Sequence, residues 1–277
     1  MPEGDTIHRA ARTLHRALAG RVVTGFTSVF PHLTRIDETA PLAGRIVEGV
    51  EARGKHVLIR FSGDLVLRTH MRMHGSWHIY RPGERWQRPR HEMRIAIETA
   101  GMHAIGFNVP DAELATTAAL DRDETFRQLG PDLLAEPPAI DEAVARLRAR
   151  AHMEIADALL DQTALAGIGN IYKSETLFVA RINPWRPVSE IAEEQLRAIV
   201  TTAARLMRAS VQTSAGSMTA AYAGSRNTTG RADPSARLWV YGRAGKPCRR
   251  CGTLISSRKQ GPNARWTYWC ERCQEAG

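Results

Sequence analysis

The sequence predicts an α+β multidomain protein: an N-terminal helix with a β-sandwich or barrel, then a helical domain closed by a zinc-ribbon hairpin. Three observations carry this. Hydrophobic periodicity is strand-like over residues 21–99 and helical over 140–213. The stretch between them, from Leu129-Gly130-Pro131-Asp132 to about Ala139, is rich in Pro and small residues. All four cysteines fall in the last thirty residues, as two C-x2-C pairs. The N-terminal domain is placed at 1–125, a hinge at 126–139, the helical domain at 140–236 and the ribbon at 237–277.

The elements follow in order. Asp5 is positioned as an N-cap, and Ile7, Ala10, Ala11, Leu14 and Leu18 then recur at helical spacing until Gly20. Strand-like segments occupy 21–30, 45–52, 55–61, 65–70, 76–80 and 93–99, with a further strand near 105. Ser62-Gly63-Asp64 joins two of them as a hairpin. Helical spacing returns over 140–151, 154–161, 170–181 and 189–213. Residues 214–236 are rich in Ser, Thr, Gly and Ala and read as a loop, and Leu238–Tyr241 reads as a strand.

The formal charge of +9 favours an anionic partner, most simply nucleic acid. No stretch is long and apolar enough to span a bilayer, and the N-terminus lacks a signal core, so a cytoplasmic protein is expected. Only four lysines occur, Lys55, Lys173, Lys246 and Lys259; a GC-rich genome is one reading, and the other makes each a candidate for a role that arginine does not fill. Cys248, Cys251, Cys270 and Cys273 have the spacing of a closed tetrahedral site for one structural Zn2+; a disulfide reading is disfavoured in a reducing compartment.

Two further segments carry chemistry. Removing the initiator from Met1-Pro2-Glu3-Gly4 exposes a secondary amine, and an α-amino group titrates at roughly pH 7.7–8.0. Such an amine attacks an aldehyde or a sugar C1′ to give an iminium, and Glu3 lies beside it to move protons. In Leu159–Asn170 a helix ends, a glycine-punctuated turn follows and a second helix starts. The N–H groups at that start suit a phosphate, and Asn170 adds an amide donor. Glu175 either orders the same turn or is a surface carboxylate.

Pro2-Glu3-Gly4, Gly54-Lys55-His56, the Leu-Leu-Asp-Gln … Gly-Ile-Gly-Asn segment and the terminal ribbon occur in one order. Together they resemble the formamidopyrimidine-DNA glycosylase / endonuclease VIII family, from Pro2 to Cys273, and the Pro-Glu-Gly start resembles the endonuclease VIII branch. The resemblance implies a helix–two-turn–helix in the second domain and a bifunctional DNA glycosylase/AP lyase of base-excision repair, a monomer at the bacterial nucleoid. Its substrate is DNA with damaged bases or abasic sites. Pro2 would be the nucleophile, Glu3 the proton donor and Lys55 a phosphate contact that assists catalysis. Asn170 and Arg265 would grip phosphates, and Glu175, near the site, is expected among the DNA-binding residues with them. Met73 would fill the hole left by an extruded base, flanked by Arg72 and His74.

Two departures narrow the reading. Thr6 stands where the family usually carries a glutamate. Gly106–Pro110 lacks the arginine of the loop that the oxidised-guanine branch uses, and 214–236 lacks a convincing version of that branch's lid. The loop and the lid, the last two of these, favour oxidised pyrimidines. The alternatives are an 8-oxoguanine/formamidopyrimidine glycosylase and a non-catalytic damaged-DNA-binding paralogue.

Overall fold

Residues 2–212 and 226–275 are described in a computed structural model. They form two compact units that divide between Arg127 and Gln128.

The first unit runs α1 (Gly4–Leu18), β1 (Val23–Ser28), α2 (Pro31–Thr39), β2 (Val47–Arg53), β3 (His56–Phe61), β4 (Leu65–His70), β5 (Ser76–Tyr80), β6 (Met93–Thr99), β7 (His103–Phe107), β8 (Asp111–Ala115), α3 (Thr117–Arg122) and α4 (Glu124–Arg127). The strands make two antiparallel sheets, ordered β1-β6-β7-β5 and β2-β3-β4-β8. Val57, Ile59 and Phe61 of one sheet and Trp77, Ile95 and Ile97 of the other share one core. The unit is therefore a sandwich and not a barrel. On the opposite face of β3 and β4, Leu58 and Val66 are covered by Leu120 and Phe126 from the short helices. A sheet covered on both faces explains the near-continuous apolar runs of these strands.

The apolar stripe of α1 packs on β2 and β3 and also reaches β5 and β7, so the helix touches both sheets. Its N-cap is Glu3, not Asp5. The Glu3 carbonyl accepts the N–H groups of Thr6 (2.9 Å) and Ile7 (3.1 Å). Asp5 lies in the first turn, where the helix dipole favours a negative charge. The sequence hides α2 because Leu33 is its one fully buried residue, and hides β8 because Leu114 is its one buried residue.

The second unit contains α5 (Ile140–Arg148), α6 (Ile155–Leu160), α7 (Asn170–Ala180), α8 (Glu193–Gln212) and the antiparallel hairpin β9 (Ser256–Gln260)–β10 (Arg265–Trp269). Leu147, Leu159, Leu165, Ile168, Leu196 and Val200 belong to its helical core. Part of the expected hinge is packed here: Gly130 donates to the Gln162 carbonyl (2.8 Å), and Leu133 is buried in the same core. A Cβ at Gly130 would lie 2.4 Å from the Ala164 oxygen, so that approach needs glycine. The expected strand Leu238–Tyr241 does not form, because its N–H groups bond a carboxylate instead of a neighbouring strand. The expected loop over 214–236 lies outside the described residues as far as 225. Among the described residues no helix is long and apolar enough to cross a membrane.

Candidate nucleic-acid interface and metal centre

The first unit carries Pro2, Glu3, Lys55 and the 71–75 loop. Pro2 is buried directly ahead of α1, and Glu3 is wholly buried. The turn linking β2 and β3 consists of Gly54 and Lys55 alone, with Arg53 paired to His56 across it. Gly54 has φ +60°, the conformation that a glycine at the first position of a tight hairpin supplies. Because α1 packs on both strands of this hairpin, the Pro2 end and the Lys55 turn are held on one scaffold.

The 71–75 loop carries the chain from β4 in one sheet to β5 in the other. It is clamped at its base: Gly75 donates to the Met71 carbonyl (2.8 Å), and a Cβ there would sit 2.5 Å from that oxygen. Arg72 has φ +46°, and its N–H donates to His70 Nδ1 (3.0 Å). Its guanidinium pairs with Asp111 at 2.5 Å, so Arg72 is tied to β8 rather than extended alone. Met73 is 50% exposed, and His74 is exposed beside it. An unbranched apolar side chain thus stands on a loop whose backbone is fixed at both ends.

Beneath this loop lies a polar cavity of about 390 Å³, lined by His56, Arg68, His70, Arg72 and Asp111 among others. Nothing in the spacing of these residues along the chain announces it, because they come together only in the fold. The His56 ring meets His70 edge-on at 4.8 Å and Phe126 at 4.9 Å. Burial, then the neighbouring His70 and the cations of Arg68 and Arg72, lower the His56 pKa to about 3; Asp123 opposes them. Burial and Arg72 likewise bring His70 to about 4, with Lys55 and Arg68 adding to the effect and Asp111 opposing. Both rings are neutral near pH 7, as His70 must be to accept the Arg72 N–H.

Between β7 and β8 only Asn108, Val109 and Pro110 intervene. Asn108 takes φ +48°, its N–H donates to the Glu92 carbonyl (2.8 Å), and Val109 is buried.

The second unit carries Asn170, Lys173, Glu175, Arg265 and the four cysteines. Gln162 fixes the α6–α7 turn, donating to the Leu160 (2.8 Å) and Ile168 (3.0 Å) carbonyls and accepting from Gly167 (3.1 Å). Gly167 has φ +94°, which only glycine adopts freely. Asn170 opens α7 with 6% exposure, and its Nδ2 donates to the Trp266 carbonyl of β10 (2.8 Å). Its Oδ1 is buried without a hydrogen-bond partner. Lys173, one turn on and wholly buried, donates to the same carbonyl (3.2 Å) and to Thr267 Oγ1 (2.8 Å). Thr267 in turn donates to Gln260 (2.7 Å), and Gln260 to Glu154 (2.6 Å). The start of α7 and the hairpin are thus one hydrogen-bonded body, with exposed Arg265 at its tip. Lysine rarity was the only sequence signal for Lys173.

Glu175 requires a correction. It was expected to contact DNA, but it is fully buried. Oε1 accepts the N–H groups of Val240 and Tyr241 (both 2.8 Å), and Oε2 accepts from Trp239 N–H (2.8 Å) and the Thr228 hydroxyl. Burial raises its pKa, and the four donors work against that rise. Glu175 therefore positions the chain that leads into the ribbon.

The four cysteines flank the hairpin, and their sulfurs all lie within 4.8 Å of one another. Cys248–Cys273 and Cys251–Cys270 are 3.9 and 3.4 Å apart, too far for disulfides. Four thiolates around zinc, with bonds of about 2.3 Å, sit roughly 3.8 Å apart, so the donor set fits one closed structural Zn2+. Cys248 and Cys270 also pack with Phe178 of α7 and Val240, which joins the metal knuckles to the helix.

Three family models match the chain. Residues 1–110 match the formamidopyrimidine-DNA glycosylase N-terminal domain, 129–221 the H2TH domain of the same glycosylase, and 245–276 a zinc finger found in FPG and IleRS. A probable endonuclease 8 2 of Streptomyces coelicolor is 41% identical over 99% of this chain and 94% of its own length. A DNA-(apurinic or apyrimidinic site) lyase of Mycolicibacterium smegmatis is 37% identical and an endonuclease 8 of Escherichia coli 32%, over 100% and 99% of this chain and the whole of each relative. Among solved structures, the formamidopyrimidine-DNA glycosylase of Lactococcus lactis, non-covalently bound to DNA with an abasic site, has the same fold. It matches with a TM-score of 0.80 at 22% identity over 99% of this chain and 100% of that one.

Proposed function

Since the chain belongs to the formamidopyrimidine-DNA glycosylase family, we propose that it is a bifunctional DNA glycosylase and AP lyase that excises oxidised bases, chiefly pyrimidines. The observation that carries the reading is the N-terminus. Pro2 and Glu3 are buried together at the head of α1, the helix packed on the Gly54-Lys55 hairpin.

With Met1 removed, the Pro2 nitrogen attacks C1′ of the damaged nucleoside. The bond from C1′ to the base breaks, and the base leaves with a proton. Glu3 protonates the sugar ring oxygen as the ring opens, leaving an iminium between Pro2 and C1′. Loss of a C2′ proton expels the 3′ phosphate, δ-elimination then expels the 5′ phosphate, and water hydrolyses the iminium to free the amine. Lys55 holds a phosphate near this centre.

Arg265, at the hairpin tip, and Asn170 grip phosphates in the second unit. The anion-favouring start of α7, which Asn170 opens, supports this role. Met73 enters the stack when the base is extruded, with Arg72 and His74 beside it. The three-residue turn at 108–110 supports pyrimidine over guanine lesions. The zinc holds the ribbon and takes no part in the chemistry. A monomer acting at the nucleoid in the cytoplasm suits this activity.

Borohydride trapping on an oligonucleotide with an abasic site tests the reading. The untagged protein gives a covalent complex, and an N-terminally extended chain gives none. DNA binding without any trapped complex would favour the non-catalytic paralogue, a reading that Thr6 also suits. The Thr6 hydroxyl is occupied between Asp5 and Arg9, at 3.3 Å from each.

A further inference from the structure

We propose that Trp266 is a base-stacking platform that takes an unpaired nucleobase of single-stranded or locally melted DNA. The proposal rests on the phosphate-gripping role given above to Arg265, its neighbour in the chain.

Trp266 is 46% exposed and stands among the exposed large apolar residues, as none of the other five tryptophans does. Trp77 is buried, and its indole donates to Thr69. Trp185 packs against Trp269, Trp239 against Phe178, and Trp86 against Tyr80 and Phe107. Among the described residues Trp266 has no such ring partner. Its one ring contact among them is cationic: the Lys259 ammonium, on the cross-strand residue, lies 5.8 Å from the ring centroid. An indole left in solvent between a lysine and an arginine, on a hairpin tip, has the chemistry of a site for an aromatic ring with a phosphate beside it.

The platform is also rigid. The Trp266 carbonyl accepts from Asn170 and Lys173, Thr267 is wholly buried, and the Tyr268 N–H donates to Ser174 (3.4 Å). Little backbone freedom is left to lose on binding, so the stacking energy is not offset by ordering of the hairpin. Tyr268, on the same face of β10 two residues on, meets Tyr241 edge-on at 5.0 Å and continues the aromatic surface.

The ligand follows from geometry. In intact duplex both faces of a base are covered by its neighbours. A side chain that offers a flat π-face therefore gains a partner only where a base is unpaired and splayed out. Every base has such a face, so the platform adds affinity without reading sequence.

The test uses full-length, zinc-loaded protein and compares binding to a single-stranded oligothymidylate with binding to a duplex of equal length. Zinc per chain is checked in every variant. Trp266→Ala should weaken oligothymidylate binding by roughly 5- to 150-fold, the range for one lost base–aromatic stack, and weaken duplex binding less. Quenching of tryptophan fluorescence by oligothymidylate should fall with it. Trp266→Phe keeps a π-face and should recover most of the affinity. The proposal is overturned if Trp266→Ala binds oligothymidylate like the parent, loses both DNA forms equally, or is matched by Trp266→Phe. A parent protein that binds neither DNA form overturns the DNA reading itself, and this proposal with it.

Discussion

The Asn170 side-chain amide donates to the Trp266 carbonyl across 2.8 Å, so the first residue of α7 and the second residue of β10 are one structural joint. Lys173 doubles the joint with a buried ammonium that reaches Trp266 and Thr267. A compact point charge on a flexible stem suits this site better than the planar arginine fork, which accounts for one of the four rare lysines. The phosphate grip assigned to Asn170 and Arg265 depends on this joint, and through the cysteines that close the hairpin it depends on zinc.

Removing the metal should therefore cost DNA affinity without altering the nucleophile. Cys251→Ser, or treatment with a strong chelator, should weaken binding to abasic-site duplex by at least about tenfold, or 1.4 kcal/mol. Fluorescence anisotropy reads this directly. Unchanged affinity in a protein shown to be free of zinc would remove the ribbon from the interface.

Glu175 should prove to be a stability residue. Glu175→Ala leaves three buried N–H groups and the Thr228 hydroxyl without their acceptor. Each unsatisfied buried donor costs about 1–3 kcal/mol, so a total on the order of 3–5 kcal/mol is expected after relaxation. Urea denaturation measures it. A loss of DNA affinity with stability unchanged would restore the direct DNA contact that the structure denies this residue.

What could be read from sequence was local. The stripe of α1, the cysteine spacing and the glycines of the α6–α7 turn each lie within a few residues of their partners, and each was legible. Glu175 and Lys173 were not, because their acceptors and donors lie 53 to 94 residues away. The apolar alternation of Leu238–Tyr241 reads as a strand, yet a distant carboxylate takes its N–H groups. His56 looks like any strand residue, since only the fold brings His70 and Phe126 against its ring.

Met73 and Gly75 should separate wedge from support. Met73→Ala removes a half-exposed side chain and should change stability by less than about 0.5 kcal/mol. Cleavage of duplex should fall about tenfold, because part of the few kcal/mol of base extrusion is no longer offset, and single-stranded substrate should suffer less. Gly75→Ala forces its new Cβ against the Met71 oxygen and should destabilise the protein by about 1–3 kcal/mol. Equal losses on both substrates for Met73→Ala would argue against a wedge.

Three histidines of the first unit set a pH dependence: His56 and His70 line the cavity by that loop, and His78 lies on β5 in the other sheet. His56, His70 and His78 have folded-state pKa values of about 3, 4 and 4, each lowered chiefly by burial. Unfolded histidine titrates near pH 6.5, so as pH falls below that value the unfolded chain takes up protons that the folded chain refuses. The histidines thus leave stability level above pH 7 and lower it between about 6.5 and 4. The slope is at most about 1.4 kcal/mol per pH unit for each ring. Urea midpoints at pH 7.5, 6.0 and 5.0 read the effect. His56→Leu removes one titrating ring and its partnerless buried Nδ1, and should cut the slope by about a third. Within the folded protein His70 takes its proton only near pH 4, which turns the acceptor of the Arg72 N–H into a donor, so the Met73 loop should loosen only there. Midpoints that stay level from pH 7.5 to 5.0 would mean that these rings are not held neutral by the fold.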